Sequence, residues 1–124
     1  MNELALSPLN HTWLIDLDGT VLKHNGYKLY GEDRFLPGMR RFLRELPDGD
    51  MIIFLTSRSS EHSQSTERFL NLNKIRYDAI IYDVPFGERI LINDQKPSGL
   101  NTAIAVNVQR DVGKPLSYHV NEML

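Results

Sequence analysis

Apolar residues along this chain come in short runs divided by amphipathic or polar stretches, and the pattern predicts alternating strands and helices. Leu14 to Asp16 predicts a first buried strand. "VLKHNGYKLY" then sets Asn25-Gly26 between two short extended runs, the strongest local signal for a tight hairpin. Pro37 opens a helix in which Met39, Phe42, Leu43 and Leu46 recur at i, i+3, i+4 and i+7, and "PDGD" ends it. The continuous run "MIIFLT" predicts a strand buried on both faces of a parallel sheet. "SSEHSQSTERFLNLNK" predicts a helix with serines at its start. Its apolar residues Phe69, Leu70 and Leu72 crowd the far end, so only the C-terminal half is expected to pack. "YDAIIYD", "RILIN" and "AIAVN" supply three further short strands. Strand, helix, strand, helix, strand is the signature of an α/β fold with a mostly parallel sheet.

Composition narrows the partners more than the fold. A chain of 124 residues forms one domain, 1–124, and is too short for two. The net charge of -2 gives no footprint for nucleic acid or an acidic membrane. With no cysteine, disulfides, thiolate metal sites and a cysteine nucleophile are ruled out. The longest apolar runs are far below membrane-spanning length, and "MNELALSPLNH" lacks the basic start and apolar core of a secretory signal. A soluble cytoplasmic protein is expected.

In an open parallel sheet, ligands bind at the carboxyl ends of the strands, so the polar residues after each apolar run matter most. They are Asp16, Asp18, Gly19 and Thr20 after the first strand, Thr56, Ser57 and Arg58 after the second, and Asn93, Asp94, Gln95 and Lys96 after "RILI". Asp16 and Asp18 repel one another unless a cation lies between them. A carboxylate fixed at a strand end can attack phosphorus and form an aspartyl-phosphate. A second carboxyl two residues on can protonate the leaving oxygen and then deprotonate the attacking water. Magnesium, a hard oxygen-seeking ion, would bridge the acids and the phosphate. A threonine hydroxyl and an ammonium group would hold the remaining phosphate oxygens.

These residues carry a resemblance. "DLDGT", with its first aspartate closing a buried strand, resembles the nucleophile motif of the haloacid dehalogenase-like hydrolases, most of which are magnesium-dependent phosphatases. "FLTSR" is similar to their second motif and "LIND" to their acidic fourth, so the likeness spans roughly residues 12–107, with 108–124 as a C-terminal segment. The resemblance implies a Rossmann-like three-layer fold. It makes Asp16 nucleophile and magnesium ligand, and Asp18 acid/base and ligand through its backbone carbonyl. Thr56 with Ser57 would bind phosphate, and Asp94 would complete the metal site. The family's third motif, a lysine or arginine after the third strand, is missing from "DVPFGERI". Arg89 starts the run that ends at Asp94, and five residues at about 3.3 Å each put it roughly 16 Å away on the wrong edge. Lys96 is the expected substitute cation, with Arg58 second.

Neither insertion point for a cap domain holds more than the Asn25-Gly26 hairpin, so a capless protein is expected. Its flap carries His24, Tyr27, Lys28 and Tyr30. The open site would suit a bulky substrate, or a neighbouring subunit would cover it in a homo-oligomer. The expected function is a magnesium-dependent phosphomonoesterase acting on a phosphorylated sugar or related metabolite. The substrate class rests on the resemblance alone. The alternative is a non-catalytic member that binds a phosphorylated ligand or a partner protein. A signalling receiver domain is disfavoured because position 56, where its acceptor aspartate would stand, is a threonine. His11, His24, His62 and His119 show no metal-ligand spacing, and Trp13 is expected in the core.

Overall fold

The computed structural model describes residues 3–113 and 116–124, so positions 114–115 of the C-terminal segment and 1–2 at the start lie outside the described residues. The fold is mixed α/β, and every strand pair in it is parallel. Strands β2 (Thr12–Asp16), β3 (Met51–Leu55) and β4 (Ala79–Ile81) form one sheet in that order, with Asp16 beside Leu55 and Leu55 beside Ile81. A second sheet pairs β1 (Glu3–Leu6) with β5 (Ser117–Val120). Sequence pattern predicts neither of these two strands. Each has only four residues, and they come from opposite ends of the chain.

The register explains the core. Trp13 pairs with Ile52 and Ile15 with Phe54, so these side chains share one face of the sheet. Against that face pack Met39, Leu43 and Leu46 from and beyond helix α2 (Met39–Arg44), and Leu70 from helix α3 (Ser63–Leu72), which a short 3-10 turn (Ser60–His62) precedes. The predicted apolar stripe of α2 is therefore the buried one. Helix α3 differs in detail: Thr66 and Leu70 are buried, whereas Leu72 is exposed. The opposite face of the sheet leaves Leu14, Met51 and Ile81 exposed, so β3 is fully buried on one face instead of two. Among the described residues, α2 and α3 supply the helical side of this core, on one face of the three-stranded sheet. Trp13 packs beside this core and donates from Nε1 to Asp50 Oδ2 at 2.9 Å.

Two expectations fail for physical reasons. A type I′ hairpin needs positive φ at both central residues, but Asn25 (φ 57) has it and Gly26 does not. Helix α1 (Gly26–Tyr30) forms there instead, closed by Gly31 at φ 78. The flap persists on a wider base: Lys23 N–H donates to the Arg34 carbonyl and Leu36 N–H to the Val21 carbonyl, both at 2.9 Å. The second failure is larger. "RILIN" and "AIAVN" form no strand, and Ile90, Leu91, Ile92, Ile104 and Val106 are exposed. A parallel crossover takes about a dozen residues or more. Residues 82–88 are too few to carry "RILIN" back to the start of β4. The segment bonds to itself instead, Asn93 Nδ2 to Thr102 Oγ1 at 3.0 Å and Gln95 Nε2 to Asn101 Oδ1 at 2.7 Å.

Candidate functional site

Asp16 ends β2, and the chain then turns sharply around one buried carbonyl. Leu17, fully buried, accepts at its carbonyl from Val21 N–H and Leu22 N–H, both at 2.9 Å, while Gly19 N–H donates to the Leu22 carbonyl at 2.7 Å. The turn requires φ 86 at position 19, a left-handed conformation that glycine alone adopts without strain. With Leu17 anchored inward, Asp16 and Asp18 part company and meet different cations.

Asp18 belongs to a buried network. Thr56, fully buried just after β3, donates from Oγ1 to Asp18 Oδ2 at 2.9 Å. Arg58 grips Asp18 through Nη2 (2.8 Å) and Nε (3.0 Å to Oδ1), and grips Asp33 through Nη2 (2.7 Å) and Nη1 (2.9 Å). Arg58 Nη1 also donates to Thr66 Oγ1 at 2.9 Å, and the Tyr27 ring lies 4.4 Å beneath the guanidinium. Burial alone would lower the pKa of Arg58, but hydrogen bonds and charge from Asp33 and Asp18 outweigh it and raise it above the ordinary value. Among the described residues this is the most completely buried ion cluster, with the Arg58 and Asp33 side chains 3% and 5% exposed.

Asp16 is the more open carboxylate. Its Oδ2 accepts from Thr20 Oγ1 at 3.1 Å, and its Oδ1 accepts from Arg89 Nη1 at 2.7 Å. Both partners of this ion pair are about one-third exposed (33% and 32%). Arg89 thus sits on the very edge that strand geometry denied it, because "RILIN" does not form the strand on which that denial rested.

Of the other expected site residues, Ser57 is half-buried beside the network. Asp94 and Lys96 lie elsewhere. Both are exposed in the self-bonded segment, where Thr102 Oγ1 donates to the Asp94 carbonyl and Lys96 N–H to the Leu100 carbonyl. Lys96 makes no ion pair with Asp16 or Asp18 among the described residues. The acid triplet Asp16, Asp18 and Asp94 is likewise not assembled: among the described residues no group of three or more His, Asp or Glu could hold a metal ion. The carboxylates do not fit magnesium in this arrangement, since Asp16 already accepts from Arg89 at Oδ1 and from Thr20 at Oδ2, and Asp94 joins no such group among the described residues.

Sequence reasoning overlooked Asp33 and Thr66. The one local signal for Asp33 is the burial around it: Asp33 is buried and Phe35 half-buried, while Arg34 between them is exposed and stacks on Tyr30 at 3.6 Å. Nothing comparable marks Thr66, an ordinary hydroxyl in a polar helix start.

No protein-family model matches the chain, and no curated protein or solved structure is significantly similar to it. Among the described residues no helix is long and apolar enough to cross a membrane.

Proposed function

We propose that this chain is a cytoplasmic phosphomonoesterase of haloacid dehalogenase-like type, built on a Rossmann-like scaffold and working through an aspartyl-phosphate on Asp16. The observation that carries the reading is the solvent-reachable Asp16 carboxylate at a strand end, 2.7 Å from a guanidinium. A carboxylate oxygen of Asp16 attacks phosphorus, the bond from phosphorus to the leaving oxygen breaks, and the leaving alcohol takes a proton from Asp18. Water then attacks the acyl phosphate, gives its proton back to Asp18, and releases inorganic phosphate with the Asp16 carboxylate restored. Arg89, which needs only to exchange one oxyanion for another, holds the phosphoryl oxygens as charge builds. This places in Arg89 the role that the sequence assigned to Lys96. A phosphorylated sugar or related metabolite is the proposed substrate class.

A second reading, a non-catalytic binder of a phosphorylated ligand, has its own support. Arg58 and Arg89 already neutralise both aspartates, and a carboxylate gripped by a guanidinium resists the protonation that the acid/base role demands. The deciding experiment is phosphate release from a panel of phosphorylated metabolites, with magnesium and with chelator, beside Asp16→Asn. Release by the wild-type chain that Asp16→Asn lacks supports the hydrolase, and the chelator arm reads the magnesium requirement that the resemblance implies. Phosphate esters bound but not hydrolysed under any condition would replace it with the binder.

A further inference from the structure

The Asp16–Thr20 loop carries a second guanidinium that the proposed chemistry leaves unused. A Cβ built on Gly19 would lie 3.0 Å from Arg110 Cγ and 3.7 Å from Arg110 Nε, so the arginine's side chain crosses directly over the loop. The chain is pinned there from three sides. Asp111 N–H donates to the Gly19 carbonyl at 2.8 Å. The Asp111 carboxylate accepts from Lys23 Nζ at 2.9 Å and from His24 N–H at 2.8 Å. Gly113, at φ 70, packs against Leu36 and Pro37 more closely than any side chain would permit.

Charge pairing separates Arg110 from its neighbours. Arg58 is matched by Asp18 and Asp33, Arg89 by Asp16, and Lys23 by Asp111. Among the described residues no carboxylate oxygen lies within 4.0 Å of the Arg110 guanidinium. An unpaired surface arginine is unremarkable by itself; this one is fixed at its backbone and laid across the loop that bears the proposed nucleophile.

We infer that Arg110 reads a second anionic group on the ligand, a carboxylate or a further phosphate carried by the leaving group. The substrate class narrows accordingly to phosphomonoesters that also bear an acid. The planar fork of donors in a guanidinium suits either oxyanion, and a lysine ammonium would serve it less specifically. The inference rests on the hydrolase reading for the word substrate, but not for the binding itself.

The test is calorimetric titration of phenyl phosphate and 4-carboxyphenyl phosphate into the wild-type chain, Arg110→Ala and Arg110→Lys. The wild-type chain should prefer the carboxylated compound by about tenfold, the scale of one charge-assisted contact. Arg110→Ala should abolish that preference while leaving phenyl phosphate binding unchanged, which also reports an intact fold, and Arg110→Lys should retain part of it. A preference that survives Arg110→Ala, equal weakening of both compounds, or no preference in the wild-type chain overturns the inference. Phosphate release measured in the same samples keeps the two readings apart. An Arg110-dependent preference without hydrolysis keeps the anion subsite, and the metabolite panel then decides the hydrolase separately.

Discussion

Residues 12–83 and 84–113 are equally rich in apolar runs, yet they end in opposite conditions. In the first region Ile52 and Phe54 are fully buried, and Asp18, Asp33, Thr56 and Arg58 pair with one another. In the second, Ile90 and Ile92 are 83% and 91% exposed, and the hydrogen bonds to the first region are made by Val84 and Arg89 near its start and Asp111 near its end. An apolar run becomes a strand only where a partner edge lies within reach of the connecting chain. β3 is returned to the β2 edge by a long connection containing α2, and β4 by one containing α3, whereas residues 82–88 offer no such return.

The sharpest way to break the first region is Arg58→Ala. It strands Asp18 and Asp33 as unpaired buried carboxylates, and the expected loss is roughly 3–5 kcal/mol in denaturant unfolding. Next comes a matched truncation in the two regions. Leu70→Ala, in the core, should cost about 2–5 kcal/mol, while Ile92→Ala should stay within about 0.5 kcal/mol. Comparable losses at both sites would mean that the second region is packed after all. The smallest expected effect lies at the junction, where Asp111 joins the second region to Lys23 and the His24 backbone. Desolvation alone would raise the Asp111 carboxyl, but hydrogen bonds from His24 N–H and Lys23, with the charge of Lys23, lower it below its ordinary value. A carboxyl lowered on folding stabilises above its unfolded pKa and loses that contribution as pH falls through the folded value. Asp111→Asn should therefore be slightly less stable than wild type at neutral pH, and the gap should close under acid. A gap that widened as pH fell would contradict the pairing.

What could be read in advance follows the same division. The stripe Met39, Phe42, Leu43 and Leu46 and the run "MIIFL" are local patterns, legible because helix and strand periods need no knowledge of the rest of the chain. The Asn25-Gly26 turn was misleading because its chemistry is shared with the left-handed residue that opens a helical turn. Asp18, Thr56 and Arg58 meet at the strand ends that the sequence singles out, whereas Asp16 turns to Thr20 and Arg89. Asp94, Lys96 and Arg89 do not follow strand-end logic, because their placement depended on a strand whose existence is a question of partners. Asp33 reaches the site through a flap whose path local pattern did not describe.

Arg58 has a consequence for time as well as for stability. Its partners come from the loop after β2, the flap and α3, so the full set of bonds closes only when three separate segments have converged. Interactions that close late are absent from the folding transition state and act on the rate of opening. Arg58→Ala is accordingly expected to speed unfolding more than it slows folding, as read from the two arms of a denaturant rate plot; a mainly slowed folding arm would show that the network forms early.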